Sequence, residues 1–388
     1  MGNIITGLQI KFIILQNYNI FVKKSLNKSF LFLITACIIS FTTNAQVARN
    51  YSNEFLNIGV GAAELGKANA VVASTDNVNA GYWNPAGLIN VEDKQVALMH
   101  ASYFANIANY DYIGFATKID EKSAIGISLI RFGVDDILDT RALLDSGGNI
   151  ATAINDLPTF SATDYAFTLS YARKPLAKNF TYGVNAKVIR RIIGDFATAW
   201  GFGIDAALQL KSKNEKWKYG VIVRDLSTTY NSWKIDDDIF DSPEGEQIEA
   251  LENQEIPEKT EITIPSVQFG IHRMFHLKKD LNLGIEADAN ARFAETNDVF
   301  SSSVVSFAPA VGLELDYNKL IFLRGGVGNF QDVAEFDGST SLSFQPNFGV
   351  GFSYKGITID YALTDIGDQS EAIYSNIFSL IIDWSLFR

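Results

Sequence analysis

Cysteine occurs once in the 388-residue chain, at Cys37, so no disulfide can form within it and stability must come from elsewhere. Histidine is almost as scarce. His100, His272 and His276 are the whole set, too few for a zinc or copper site when Cys37 lies in an N-terminal stretch expected to be removed and no other cysteine can join them, and neither a GxSxG nucleophile elbow nor a P-loop occurs. The chemistry-bearing patterns of common enzymes are missing, so the expectation is a non-enzyme without cofactor. Beyond residue 46 there is also no uncharged apolar run of the roughly 20 residues that a membrane helix needs. Basic residues are outnumbered, 32 against 44 acids, which disfavours nucleic acid as a partner.

The first 45 residues differ from the rest. They carry Lys11, Lys23, Lys24 and Lys28, no acid, and then the apolar run "SFLFLITACIISF". This pattern reads as a secretory signal, and Thr43 and Ala45 in "TTNAQ" sit at signal-peptidase spacing, so cleavage is expected after Ala45. Two alternatives stay open: translation from Val22-Lys23-Lys24, and lipid attachment at Cys37, whose "ITAC" resembles a lipoprotein box although "IISF" prolongs the apolar run beyond it. Cleavage after Ala45 removes four lysines, leaving 28 basic residues against 44 acids and a formal charge of −16.

What the mature chain has in abundance is alternation. In "WGFGIDAALQLK" (200–211), Trp200, Phe202, Ile204, Ala206, Leu208 and Leu210 oppose Gly201, Gly203, Asp205, Ala207, Gln209 and Lys211. "LNLGIEADAN" (281–290) and "FQPNFGVGFSY" (344–354) divide in the same way. Period 2 means strands. Soluble sandwich strands average five or six residues, whereas these run to ten or more, the length that crosses a bilayer at a tilt. Aromatics recur near the strand ends, among them Tyr165, Tyr171, Trp200, Trp217, Tyr219, Tyr354 and Trp384, as in an interfacial girdle.

Fourteen such segments are counted between residues 94 and 388, joined by short links such as "DEK", "YNK" and "YKG" in alternation with long ones at 133–162, 226–263, 292–302, 331–342 and 365–375. The fold class expected is therefore all-β, an antiparallel transmembrane barrel of about fourteen strands in the outer membrane of a Gram-negative cell, with short turns on the periplasmic side and lipid around it. The ending "IIDWSLFR" resembles the terminal signal read by barrel-insertion machinery.

Residues 46–93 do not fit the first strand. They are small, Gly-rich and turn-rich, too long and too apolar to hang in the periplasm, and a barrel of this size has an interior that strand side chains alone do not fill. The economical place for the segment is inside, as a hatch. Its stretch "AGYWNPAGLI" (80–89) is punctuation, because Pro85 cannot donate to a sheet ladder and Asn84 and Gly87 form turns. Trp83, Asn84, Pro85, Ala86 and Gly87 are its candidate functional residues, with Asn84 expected to pin a turn, Pro85 to fix the bend and Trp83 to anchor it on the wall.

The run "GAAELGKANAVVASTDNVNAGYWNPAGL" ahead of fourteen strands resembles the FadL-like outer-membrane proteins, and within them the PorV/PorQ branch associated with type IX secretion. That resemblance implies a non-enzymatic barrel supporting protein secretion, with translocon subunits and secreted cargo as partners. The alternative it carries is a FadL-type diffusion channel for hydrophobic small molecules such as long-chain fatty acids.

Other features have plainer readings. "GVGAAELG" (59–66) has Glu64 where the third glycine of a dinucleotide fingerprint belongs and no strand–helix unit around it, so its small residues are expected to pack against a wall. Parity points Lys187, Asp205, Gln209, Glu286, Asp288 and Asp383 into the lumen, where they line a solute path or pair with one another and the hatch. His272 shares that parity and is expected to be hydrogen-bonded there. The link 226–263 holds eleven acids from Asp236 to Glu261 against Lys259 alone, a solvated loop that also has the composition to dock a basic partner or calcium.

Overall fold

The computed structural model describes residues 52–103, 107–140, 143, 152–175, 179–214, 216–236, 260–334, 339–364 and 374–384. The signal region, Cys37 and most of the acidic link, 237–259, lie outside them.

The alternating segments form one antiparallel sheet closed on itself. Its first six strands are Lys94–Tyr103, Ala108–Asp120, Ser123–Leu138, Thr159–Arg173, Phe180–Ile193 and Ala197–Lys211. The seventh and eighth each come in two pieces, Trp217–Arg224 with Thr229–Ile235, and Thr260–Thr263 with Ser266–Lys278. Leu281–Arg292, Ser306–Tyr317, Ile321–Ala334, Thr340–Tyr354, Ile357–Thr364 and Ser375–Asp383 complete fourteen. Closure is direct, since Gln95 on the first strand faces Ala116 on the second and Asp383 on the last. Phe300–Ser301 folds back on Ser306 and Phe307 as a small hairpin outside that count.

Several strand boundaries differ from the sequence reading. The seventh strand does not stop near residue 225. It breaks there and resumes, with Asp225 and Thr228 in left-handed conformations at φ 52° and 59°. The sixth strand is long enough to pair with both pieces, Ala206 with Val223 and Phe202 with Tyr230. "DLST" therefore looks like a loop in sequence while the wall continues past it, and Pro265, lacking an N–H, falls between the two pieces of the eighth strand. The third and fourth strands likewise extend to Leu138 and back to Thr159, so the 133–162 link is shorter than expected.

Short links sit at one end of the barrel, with residue 94 and residue 383 beside them, which makes that end periplasmic. Local backbone chemistry closes these turns: Asn318 and Lys319 (φ 60° and 53°), and Lys355 and Gly356 (φ 47° and 80°), hold the paired positive-φ geometry of two-residue hairpins.

Alternation sorts the side chains by face. Phe202 is 61 % exposed on the outside, while Asp205 three residues on is 1 % exposed within. Phe167, Phe269, Leu323, Phe348 and Phe378 continue the exposed apolar surface around the barrel. Polar rows bound this surface. Toward the outer end His100 Nδ1 lies 2.7 Å from Asp111 Oδ1, Arg131 faces Tyr165, and the Arg190 guanidinium sits 4.9 Å over the Trp200 ring. Toward the periplasm Arg273 lies 4.7 Å over Trp217 and Lys355 lies 5.2 Å over Tyr354. An apolar band held between aromatic and charged rims is the exterior of a bilayer-spanning barrel.

Charged substitutions test the sorting. Phe202→Arg and Phe348→Arg should each cost about 2–4 kcal/mol near mid-bilayer, whereas inward Asn347→Ser should stay within about 0.5 kcal/mol, as read by urea unfolding in lipid vesicles. Equal losses in the two sets would reverse the assignment of faces. Gly203, although inward, should not accept a side chain, because a Cβ there would overlap Thr229 Oγ1.

Candidate functional site

The segment ahead of the first strand folds into four short helical pieces of one or two turns, Glu54–Asn57, Ala62–Leu65, Ala80–Trp83 and Pro85–Asn90. None is long enough to be stable alone, so what fixes them is contact with the inner wall. Small residues allow that contact on both sides. Ala62, Ala70, Ala80 and Ala86 are fully buried, and a Cβ on Gly183 of the fifth strand would overlap the Pro85–Ala86 peptide.

Backbone groups of a turned segment shut away from water need partners. The wall provides them. Val71 and Val72 N–H both donate to Asp288 Oδ2, at 2.9 and 3.0 Å, and Ala73 and Ser74 N–H donate to Glu286 Oε1, at 2.6 and 3.3 Å. Two carboxylates on the inward face of one strand thus take four successive N–H groups. On the other side of the turn, Gln209 Nε2 donates to Val72 O at 3.3 Å and to Thr75 O at 2.9 Å.

Asn84 joins the same turn. Its Nδ2 donates to Val72 O at 2.9 Å and to Leu208 O of the sixth strand at 3.1 Å, and its Oδ1 accepts from Ala86 N at 3.2 Å. The residue is fully buried, with Pro85 following at the first helical position. Trp83 lies in an apolar cluster with wall residues including Met99 and Tyr103; its Nε1 donates at 2.9 Å to Val60 O within the segment itself, and its ring stands edge-on to Tyr82 at 4.8 Å. Its indole ties two stretches of the segment together. Gly87 packs so closely under Thr75 O that a Cβ would collide.

The other inward charges pair. Lys187 Nζ lies 2.8 Å from Asp205 and 2.6 Å from Asp225, beside the break in the seventh strand. Asn185 Nδ2 bridges from Asp205 Oδ2 (3.1 Å) to Gly81 O (3.0 Å), so this cluster also touches the segment. Gln95 Nε2 donates to Asp383 Oδ2 at 2.9 Å while Gln95 Oε1 accepts from Val78 N at 3.0 Å. Sequence parity alone did not single out a third group, Arg324 with Glu314 (2.7 Å) and Asp360 (2.6 Å), joined by Lys67 of the segment at 3.4 Å from Glu314. His272 is buried, but its Nδ1 has no hydrogen-bond partner among the described residues, contrary to expectation.

Within the segment Glu64 is 4 % exposed and accepts from Asn79 Nδ2 at 3.2 Å and Asn77 Nδ2 at 3.4 Å. Burial pushes its carboxyl above the usual 4.5, against the opposing pull of Lys67 and Asn79.

Cavities lie on both faces of the segment. The outer one, about 390 Å³, is bordered by Tyr82, Trp83, Tyr103, Arg224, Asn290 and Asn347. The periplasmic one, about 330 Å³, is bordered by charged groups including Lys67, Lys218, Glu286 and Arg324. A further opening at the periplasmic rim, about 350 Å³, carries Lys118, Lys174, Lys211 and Lys213 against Glu121. The site is thus a filled lumen: a turned segment clasped by polar groups, with unfilled space before and behind it.

No sequence-family profile and no curated protein matches the chain. Solved structures do. The P. putida toluene transporter TodX superposes with a TM-score of 0.52 at 13 % identity, covering 84 % of this chain and 99 % of that one. CymD, a monoaromatic hydrocarbon channel, gives 0.51 at 9 % identity over 84 % and 96 %. A Pseudomonas aeruginosa FadL homologue gives 0.48 at 12 % over 84 % and 98 %. The first two likenesses establish a shared fold, and with the apolar exterior they make this chain an outer-membrane β-barrel. Nothing in them reaches as far as the PorV/PorQ branch.

The clasp predicts that Glu286→Ala with Asp288→Ala leaves the barrel assembled, by heat-modifiable gel mobility, while amides 71–74 exchange with deuterium at least tenfold faster, since each charge-assisted bond lost is worth about 1.5–3 kcal/mol. Unchanged exchange would show that the turn is held by packing. Glu64 predicts a pH dependence. Its raised value means that the folded state holds this proton more tightly than the unfolded chain, so its contribution to stability declines as pH rises from about 4.5 through the raised value. Glu64→Gln should remove that decline, so its gain in unfolding midpoint over the parent is larger at pH 8 than at pH 4, and a gain independent of pH would refute the assignment.

Proposed function

We propose that this protein is a gated channel that admits small molecules across the outer membrane, with the segment 52–93 as its gate, and that its substrates are hydrophobic or largely apolar, as in a FadL-type channel. The observation that carries the reading is a transmembrane barrel whose lumen is divided, by a segment held through hydrogen bonds and ion pairs, into cavities on either side. Polar clasps suit a gate, because water and ligand can replace them as the segment moves, whereas a permanent plug is better served by apolar packing alone. Two barrels that share the fold are a toluene transporter and a monoaromatic hydrocarbon channel, which supports the same substrate class. The aromatic border of the outer cavity, Tyr82, Trp83 and Tyr103, gives ring-shaped solutes a surface to lie on.

The type IX secretion reading depends on outer loops, 133–162 and 226–263, of which 141–142, 144–151 and 237–259 lie outside the described residues, and no observation on the described residues favours it over the channel. It makes the opposite prediction. Deleting the gene should slow uptake of a radiolabelled monoaromatic compound or long-chain fatty acid at least fivefold and leave secretion of cargo intact. Restoring the gene should restore uptake, and Glu286→Ala with Asp288→Ala should also admit large antibiotics that the parent excludes. Normal uptake with lost secretion would replace the channel reading with the secretory one.

A further inference from the structure

Resting on the channel reading, we infer that the outer cavity is a recognition site for a small ring compound that has apolar faces and hydroxyl groups on its edge.

The argument begins with which lumen amides are engaged. Those that hold the segment all have partners for their N–H groups: Asn84, Asn185, Gln209 and Gln95 donate to backbone or carboxylate oxygens at 2.9–3.3 Å, although Asn185 Oδ1 accepts from no described residue. Asn69, Asn290, Gln345 and Asn347 differ. Their side chains make no hydrogen bond to another described residue, and all four border the outer cavity. In Asn69, Asn290 and Asn347 the Oδ1 atom is covered and unpartnered. A buried polar group left unpaired costs about 1–3 kcal/mol, and such groups in a native fold call for a partner.

Their arrangement makes one trough. Asn290 stands on the strand Leu281–Arg292, opposite Ala308. Gln345 and Asn347 stand two strands beyond Ala308, opposite Gly328 and Gly326. The floor between them is Ala308 and Ala310, small residues that leave room over the wall, while Gly326 and Gly328 let the segment pack directly on the wall at Lys67 and Ala68. The segment closes the trough at Ala68 and Asn69, two successive non-glycine residues at φ 53° and 66°. L-residues adopt that backbone at a cost, and here it turns the chain at the edge of the cavity. On the opposite border the Arg224 guanidinium lies 4.8 Å over the Tyr82 ring and makes no hydrogen bond or ion pair with a described residue.

The chemistry selects a ligand type. A carboxamide both donates and accepts, and so does a hydroxyl, so hydroxyls on a ring edge pair with several amides at once. Aromatic borders accept the faces of such a ring. The cavity's charged neighbours are mixed, Asp288 on one side and the Arg224 and Arg292 guanidinium groups on the other, which favours a neutral ligand, and a bare hydrocarbon would leave the amides unpaired. A volume of about 390 Å³ lies at the small end of the usual range for ligand pockets, roughly 300–1,000 Å³, and suits one or two rings. Hydroxylated aromatic rings and monosaccharides share this chemistry.

Isothermal titration of the purified full-length protein in detergent with catechol, glucose and toluene separates the sources. At least one hydroxylated ring should bind ten or more times tighter than toluene. Catechol alone would identify the aromatic source and glucose alone the saccharide. Asn290→Leu with Asn347→Leu, which keeps side-chain volume, should weaken that ligand at least tenfold without weakening toluene, and Gln345→Met provides a second, less buried test should the double variant fail to assemble. Toluene binding as tightly as the others, no binding by any of the three, or unchanged affinity in the assembled variants would overturn the inference. Failure of the channel reading is distinguishable: binding would persist while gene deletion left uptake unaffected.

Discussion

Two carboxylates, Glu286 and Asp288, receive four consecutive N–H groups from residues 71–74, and the filled lumen depends on that exchange. A barrel can satisfy its own backbone entirely by strand pairing, which is why barrels cross membranes at all. A segment threaded through the middle has no ladder to join. Its turns expose N–H and C=O groups in a space with little water, and each needs an oxygen or a donor from the wall. Carboxylates are strong acceptors for such groups, and the N–H groups of the turn in exchange offset the cost of burying the charge.

The same economy accounts for the inner surface as a whole. A lumen built of charges would be unstable if any stood alone, because an unpaired buried ion costs far more than a surface pair gains. Lys187 with Asp205 and Asp225, and Arg324 with Glu314 and Asp360, are closed groups. Both touch the segment, the first through Asn185 and Gly81, the second through Lys67. Movement of the segment therefore exchanges protein partners for water or ligand and does not uncover a bare core. The outer cavity departs from this pattern, since four carboxamides there are left without partners among the described residues.

Fold class and facing were legible because both follow from a period of two residues. Phe202 and Asp205, or Leu283 and Glu286, have opposite surroundings by parity alone, and a ten-residue alternation needs no distant information to be read. Strand ends were less legible. "DLST" at 225–228 breaks the period, and only pairing with a long sixth strand shows that the wall goes on through Tyr230. The PorV/PorQ branch rested on the stretch around Asn84-Pro85-Ala86, whose role here is to pin a turn of the lumen segment, and a turn of that kind carries no information about what passes it.

Chain chemistry by itself thus determined a closed, exported, disulfide-free barrel with an apolar exterior and a polar interior, because strand length and alternation are local properties of the sequence. Only tertiary structure decided what the interior groups hold. Val71 and Asp288 are 217 residues apart, Ala62 and Ser379 are 317, and nothing local links their positions. The shear and closure of the barrel set which inward residue stands opposite which turn, and that geometry left Asn69, Asn290, Gln345 and Asn347 around one cavity while it joined Asn84 to Val72 and Leu208.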